Sequence, residues 1–117
     1  DFLQNMKIFD RFFEEHPDVR HIITFNSRAH LISDWMEIRG VKDKKLLGFD
    51  MLQANMRALK NGTISTLIAE RTDKEAFKAI KALIDFLVLR QKPAQRDSYS
   101  SLDILTRYNV DFYLVED

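Results

Sequence analysis

The stretch VRHIITFNSRAHLISDWMEIRGVKDKKLLGFD, residues 19–50, decides the fold. Residues 19–25 are mostly apolar and branched, without alternation, which is typical of a strand buried on both faces. Residues 28–39 carry apolar side chains at helical spacing, and Gly40 can take the left-handed conformation that often ends a helix. Residues 45–49 form a second short apolar run. The stretch therefore predicts a strand, a helix and a second strand.

Such a strand–helix–strand unit almost always makes a right-handed crossover between parallel strands. Its two strands end at polar residues, Asn26 and Asp50, which should emerge at the same edge of one sheet. In open parallel sheets, ligands bind at this carboxyl edge. Asn26 and Ser27 also offer capping oxygens for the helix that follows.

The composition limits the possible functions. The 117 residues suffice for one domain, and 18 acidic and 18 basic side chains cancel, which argues against direct contact with DNA. The absence of cysteine excludes thiol catalysis, cysteine-based metal sites and disulfides, and it suits a reducing compartment. No apolar run is long enough to cross a bilayer, and no signal peptide leads the chain. Because the sequence begins inside a predicted helix, we expect a piece of a longer protein.

The rest of the chain repeats the alternation of helix and strand. Residues 2–15 predict an amphipathic helix that ends before Pro17, and residues 52–60 predict another that buries Leu52, Met56 and Leu59. Residues 63–69 are a third β-branched strand. The pattern predicts an α/β domain with a parallel sheet flanked by helices.

The longest predicted helix begins at Thr72, where Thr72 and Glu75 have the spacing of a capping box, and it ends before Pro93. Residues 91–101 are polar and predict an exposed loop. A strand over 102–105, a turn over 106–109 and an extended segment over 111–115 complete the prediction.

Three predicted strands end in polar side chains that could bind a ligand, namely Asn26, Asp50 and Glu70. An amide both donates and accepts hydrogen bonds, and a carboxylate can accept from two neighbouring hydroxyls. This set suits a neutral polyhydroxylated ligand. The alternative is that these residues only cap the loops at the strand ends.

Other polar features have structural interpretations. His16, His21 and His30 show no metal-ligand spacing, so we expect no metal. Asn61-Gly62-Thr63 matches a glycosylation triplet but also a helix end, and the lysines at 42, 44 and 45 suit a solvated turn. Trp35 lies on the apolar side of its helix and is expected in the core. No phosphate loop, nucleophile elbow or Ser/His/Asp order is present, and we expect neither enzymatic activity nor a cofactor.

The segments IITFNS, KLLGFD and LKNGTISTLIAER, with the closing SLDILTRYNVDFY, resemble the effector-binding domain of LacI/GalR-type transcription regulators. That family shares its fold with type I periplasmic sugar-binding proteins. The resemblance implies that Asn26 and Asp50 contact the hydroxyls of a sugar-like effector, with Ser27 and Arg28 as secondary candidates. At Glu70 the family commonly has glutamine, so this chain keeps an acceptor there but loses the amide donor.

The resemblance also implies a two-lobed protein with the ligand between the lobes. Residues 1–71 would form most of the C-terminal lobe, the helix within 72–92 would belong to the other lobe, and residues 93–117 would form a returning tail. DNA would be bound by an N-terminal helix-turn-helix outside this sequence. The implied protein is a cytoplasmic regulator, and the apolar stripe of the 72–92 helix predicts a homodimer.

Two other functions remain as alternatives. The same fold serves extracytoplasmic solute-binding or sensor proteins of transport and signalling systems. A receiver domain phosphorylated at Asp50 would need an acidic pair after an early strand, where this chain has Phe25-Asn26-Ser27.

Overall fold

Helices and strands alternate along the chain, and the strands form a single sheet. The computed structural model describes residues 1–113. Its sheet has the order β1-β2-β3-β4, and both the β1–β2 and the β2–β3 pairs are parallel. The predicted α/β fold with a parallel sheet flanked by helices is confirmed. The elements are α1 (Phe2–Glu15), β1 (His21–Ile23), α2 (Ala29–Arg39), β2 (Lys45–Phe49), α3 (Gln53–Asn61), β3 (Thr66–Ala69), α4 (Thr72–Leu87), β4 (Asp103–Leu105) and α5 (Val110–Tyr113).

The chain divides into two compact units. The first contains Asp1–Ala69 and the chain from Ile104 onward, and the second contains Glu70–Asp103. The predicted assignment of segments to two lobes of a larger protein stays a prediction. Within residues 1–113, no helix combines the length and apolarity that a membrane span requires.

The core of the first unit lies between the sheet and helices α2 and α3. Leu46 of β2 and Leu67 of β3 are fully buried, as are Leu59 of α3 and Ile64 before β3. Each fully buried leucine or isoleucine contributes about 1.5–3 kcal/mol. Val110 of α5 belongs to the same core, so the segment after β4 is packed on this unit.

Helix α1 packs on α2 through aromatic side chains and one carboxylate. The ring of Phe13 stacks on that of Trp35, with centroids 4.5 Å apart. Trp35 is buried, as predicted, and its Nε1 donates to Asp10 Oδ1 over 2.9 Å. Arg39 donates to both carboxylate oxygens of Asp10. These hydrogen bonds, first from Arg39 and then from Trp35, lower the pKa of Asp10 to about 2.

Strand β1 differs from the prediction of a strand buried on both faces. It lies at the edge of the sheet, with β2 as its strand neighbour. Ile23 is 55% exposed and Phe25 is 84% exposed. An apolar run of branched residues does not itself say whether a second strand or a helix covers it, and this was the reason for the error.

Several side chains also differ from their predicted positions. Leu52 is exposed because it is the N-cap of α3 rather than a residue of its inner face. Lys44 is buried instead of solvated, because its Nζ donates to Val19 O over 2.6 Å.

The last part of the chain also departs from prediction in detail. The N-cap of α4 is Arg71, without a side-chain capping bond, so the predicted capping box at Thr72 does not form. The segment predicted as extended begins as the short helix α5. Its remaining predicted residues, 114 and 115, lie outside the described part of the chain. The polar loop over 91–101 is exposed throughout, as predicted.

Candidate functional site

The carboxyl ends of β1 and β2 bring together four of the five predicted ligand residues. Asn26, Ser27 and Arg28 lie in the loop between β1 and α2, and Asp50 lies directly after β2. Because the two strands are parallel and adjacent, both loops lie at the same edge of the sheet. We define this surface, residues 24–28 and 49–51, as the carboxyl edge.

Asn26 forms a local turn that leads into α2. Its Oδ1 accepts a hydrogen bond from the backbone N–H of Arg28 over 2.9 Å. This is an Asx turn in the loop before α2. The predicted capping of α2 by Asn26 or Ser27 is wrong, because Arg28 is the N-cap residue and no side chain makes the capping hydrogen bond. The side chain of Asn26 is exposed, and its Nδ2 has no partner within residues 1–113. The amide group therefore keeps a free donor for a ligand.

Asp50 has an unusual backbone conformation. Its φ is 68°, in the left-handed region that non-glycine residues rarely adopt. Its backbone N–H donates to Ile68 O over 3.1 Å, which ties the residue to β3. The side chain is half-buried, and among the described residues its carboxylate has no hydrogen-bond or ion-pair partner. Both carboxylate oxygens can therefore accept hydrogen bonds from a ligand.

Asn55, in the first half of α3, is a buried polar residue that our sequence analysis missed. Its Nδ2 lies within hydrogen-bond distance of the carbonyl oxygens of Ser27, Phe49 and Asp50, at 3.0, 3.1 and 3.1 Å. Its Oδ1 accepts from the backbone N–H of His30 over 2.9 Å. Its signal in the sequence was an amide next to Met56 and one turn before Leu59, on the inner face of a predicted helix.

The loop of Asn26 is brought close to β2 by a glycine. A methyl group on Gly48 would lie 2.5 Å from Ala29 Cβ and 3.1 Å from a methyl group of Leu67. Real Cβ atoms do not approach this closely, so only glycine permits the first turn of α2 to contact β2 directly. The start of α2 is thereby held against β2, beside Asp50.

Two aromatic rings lie next to the polar groups of the carboxyl edge. The ring centroids of Phe25 and Phe49 are 5.9 Å apart, and Phe25 is 84% exposed. An exposed aromatic face beside free hydrogen-bonding groups suits a ligand with both C–H and O–H surfaces. Phe25 was treated in the sequence only as part of a buried strand, and its position immediately before Asn26 was the available signal.

Glu70 follows β3 in the chain, and it is the first residue of the second unit. It is half-buried. Its participation in a ligand site with Asn26 and Asp50 stays a prediction.

A cavity of about 420 Å³ lies at the other end of the sheet, where β2 and β3 begin. Its lining includes Glu37, Lys45 and Ser65. Glu37 Oε1 there accepts from the hydroxyl of Thr63 over 2.8 Å and also from the amide of Asn61. We place the candidate site at the carboxyl edge nevertheless, because free donors, free acceptors and an exposed ring coincide there.

Residues 1–113 contain no group of three or more histidine, aspartate or glutamate side chains placed to hold an ion.

Comparison with known proteins identifies the fold. The chain is 41% identical to a "putative LacI transcriptional regulator" from Bacteroides fragilis, with a TM-score of 0.88 over 93% of this chain and 38% of that one. A solute-binding protein from Burkholderia graminis, solved in complex with D-arabinose, has 18% identity, a TM-score of 0.81 and coverage of 94% and 39%. A glucose–galactose binding protein from Geobacillus stearothermophilus has 19% identity, a TM-score of 0.79 and coverage of 94% and 39%.

These similarities show a type I periplasmic-binding-protein-like fold, as the family resemblance implied. The chain spans about two fifths of the length of each of these three structures. No protein-family model matches the sequence, and no curated protein matches it either.

Proposed function

We propose that this chain is part of the effector-sensing domain of a LacI-type transcription regulator and that its effector is a sugar. The observation that carries the proposal is the 41% identity to the Bacteroides fragilis protein over 93% of the chain. The glucose–galactose binding protein and the D-arabinose complex described above are only 19% and 18% identical. Sequence similarity of that order across nearly the whole chain favours the regulator over the transport protein.

The carboxyl edge supplies the chemistry for a sugar. The carboxylate of Asp50 accepts hydrogen bonds from two neighbouring hydroxyls, and the free Nδ2 of Asn26 donates to a third oxygen. The exposed ring of Phe25 covers the C–H face of the same ligand. Ser27 and Arg28, in the Asx turn, offer a hydroxyl and a guanidinium at the margin.

One sheet edge is an open surface, and a tight sugar site buries most of the ligand. The proposed parent protein therefore requires a second wall that closes over the carboxyl edge. Sugar binding favours the closed arrangement of the two lobes, and the resulting population shift changes DNA affinity through a separate helix-turn-helix. We place this regulator in the cytoplasm as a homodimer and assign it no enzymatic activity.

An extracytoplasmic solute-binding or sensor protein is the second candidate. It is favoured by one observation, the D-arabinose complex of the solute-binding protein from Burkholderia graminis. The two candidates share the sugar site and differ in the parent protein. In the longer protein, a change in the mobility of operator DNA on adding the sugar supports the regulator, and the absence of any DNA binding supports the transport protein.

The sugar site is tested by replacing Asp50. The 117-residue chain, labelled with ¹⁵N, is titrated with D-arabinose and with D-galactose up to about 50 mM. With only one wall of the cleft, we expect a binding free energy of about −4 kcal/mol, which corresponds to a millimolar Kd below that concentration. The amides of residues 26–28 and 50 should shift. Asp50→Ala should weaken binding by at least about tenfold, and in the longer protein by about 2–5 kcal/mol, because buried hydroxyls lose their acceptor.

Asp43→Ala is the matched control. Asp43 is an exposed aspartate paired with Arg20 at 2.9 Å, and it lies before β2, at the opposite end of that strand from Asp50. Its replacement should leave the sugar-induced shifts unchanged. Shifts that are absent with both sugars, or that survive Asp50→Ala intact, would contradict the proposed site.

A further inference from the structure

The two loops of the carboxyl edge are joined by one buried side chain. Asn55 has no exposed surface, and its amide group contacts both the loop after β1 and the loop after β2. We infer that Asn55 is a positioning residue, which sets the orientation of Asp50 and of the Asn26 turn and thereby controls affinity for the sugar. This inference rests on the proposed function for its ligand but not for its geometry.

The hydrogen bonds of Asn55 use both ends of its amide. Nδ2 faces three carbonyl oxygens, of Ser27, Phe49 and Asp50, and Oδ1 faces the backbone N–H of His30. His30 Nδ1 also lies 3.2 Å from Oδ1. Neither a leucine nor an aspartate of similar size can replace this pattern, since one lacks all the polar groups and the other lacks the donor.

Asp50 needs such support because its backbone is strained. A non-glycine residue at φ 68° persists only where its surroundings fix it. Two hydrogen bonds do so here, from its own N–H to Ile68 O and from Asn55 Nδ2 to its carbonyl oxygen. The left-handed conformation sets the direction in which the carboxylate projects. Loss of the second bond should let Asp50 relax and move that carboxylate.

The turn of Asn26 depends on the same side chain. Asn55 binds Ser27 O and the N–H of His30, on either side of Arg28. The Asx turn between Asn26 and Arg28 itself lies on the exposed surface. Buried hydrogen bonds on both sides of Arg28 therefore hold an otherwise exposed loop in one conformation, next to the loop of Asp50.

The test compares amide exchange in the wild-type chain, in Asn55→Ala and in Asn61→Ala. The N–H groups of Arg28 and Asp50 do not bond to Asn55, so their exchange reports position rather than a deleted acceptor. We expect both to exchange about tenfold to a hundredfold faster in Asn55→Ala, because the buried partners of Asn55 are left without a hydrogen bond and the two loops open more easily. The Cα shift and the HN–Hα coupling that mark a positive φ at residue 50 should also be lost.

Asn61→Ala is the matched control, because Asn61 lies at the other end of the same helix. Its Nδ2 donates to Glu37 Oε1, and its Oδ1 accepts from the backbone N–H of Thr63, in the segment that leads into β3. Its loss can lower overall stability but should not accelerate Arg28 and Asp50 relative to the core amides. Equal exchange of Arg28 and Asp50 in wild type and Asn55→Ala, or acceleration only in step with the whole core, overturns the inference.

A second variant decides the result if Asn55→Ala fails to fold. Glycine adopts φ 68° without strain, so Asn55→Ala should be tolerated better when Asp50→Gly is also present. The urea midpoint should then fall less on removing Asn55 from the Asp50→Gly chain than from the wild-type chain. A double variant as unfolded as Asn55→Ala alone overturns the inference.

The ligand arm separates this inference from the proposed function. Asn55→Ala should bind D-arabinose or D-galactose at least about tenfold more weakly than the wild type. A wild-type chain that binds neither sugar counts against the proposed function, and the exchange data still decide the role of Asn55. Asn55→Ala is also compared by affinity alone: if both loops lose their order and the variant still binds sugar as tightly as the wild type, Asn55 does not control affinity.

Discussion

Replacing Gly48 by alanine should separate α2 from β2. The new methyl carbon would lie 2.5 Å from Ala29 Cβ, whereas carbon atoms in contact prefer about 3.5–4.0 Å. The start of α2 must therefore move away by about 1–1.5 Å. Ala29 has no flexible side chain that could move instead, because its Cβ is fixed by the helix backbone.

The expected cost follows from this geometry. Extra atoms in a packed core destabilise proteins by about 1–3 kcal/mol, and contact with a backbone-fixed carbon places Gly48→Ala at the upper end. A loss of about 3 kcal/mol lowers the urea midpoint by about 1.5 M, for a denaturant slope of about 2 kcal/mol/M. The displaced helix also carries the Asn26 turn, so sugar-induced shifts should weaken in the variant that remains folded.

The assay is urea unfolding of five variants: Gly48→Ala, Ala29→Gly, Gly40→Ala and the two double variants that add Ala29→Gly. Ala29→Gly removes the methyl group that the new side chain at position 48 would contact. Gly48→Ala should therefore cost less than about 1 kcal/mol in a chain that already carries Ala29→Gly. Gly40→Ala is the control. A methyl group there would meet no atom within 4 Å, and its cost of about 1–2 kcal/mol comes from φ +66° alone. Ala29→Gly should not rescue it. A Gly48→Ala chain as stable as the wild type, or one unrescued by Ala29→Gly, refutes the reasoning.

Three further predictions concern stability and assembly. Because folding lowers the pKa of Asp10 from 3.8 to about 2, its carboxylate stabilises the fold above pH 3.8, and this contribution is lost progressively towards pH 2. The unfolding free energy of the wild type, measured in urea, should therefore fall more steeply between pH 3.8 and pH 2 than that of Asp10→Asn. Parallel curves of unfolding free energy against pH would contradict this prediction. Lys44→Ala should lower the unfolding free energy measured in urea by about 1–3 kcal/mol, because it removes the buried Lys44 side chain and leaves the half-buried Val19 O without its donor. Replacing the exposed Lys45 by alanine should cost less than about 0.5 kcal/mol. The apolar stripe of α4 predicts a homodimer or higher oligomer, to be detected by light scattering after size exclusion; a strict monomer across a wide concentration range rejects it.

That last prediction depends on the surface of the second unit. None of the 16 residues of α4 is buried. The stripe consists of large apolar side chains that are all more than half exposed, namely Phe77, Ile80, Leu83, Ile84 and Leu87. Surfaces of this kind usually mark an interface.

Local signals in the sequence were sufficient for most of the secondary structure. Residues 2–15 formed the predicted helix, and residues 45–49 formed the predicted strand. The glycines at 40 and 62 end their helices in the left-handed conformation. In each case the determining interaction lies within a few residues, in apolar periodicity or in the freedom of glycine, and is therefore visible in one sequence.

Burial was harder to predict, because it depends on what covers an element. A short apolar run is compatible with either an edge strand or a central strand. Only the order of the strands in the sheet shows that β1 is an edge strand. Lys44 likewise looked solvated as one of three nearby lysines. Its buried position depends on Val19 O, which lies 25 residues away in the chain. Such pairings are set by the tertiary fold and leave no local pattern.

The candidate site likewise has a part that local sequence signals predict and a part that depends on the tertiary fold. The strand-end rule correctly predicted that Asn26 and Asp50 lie at one edge of the sheet, since it needs only the ends of two parallel strands. It could not identify the residue that holds them, because Asn55 meets Ser27 at a separation of 28 residues. Its hydrogen bonds go to backbone groups, which every residue has, so no partner side chain signals the pairing in the sequence. A search for ligand residues should therefore also consider polar residues on the apolar face of the helix that follows each strand end, and Asn55 is the one that here connects two such ends.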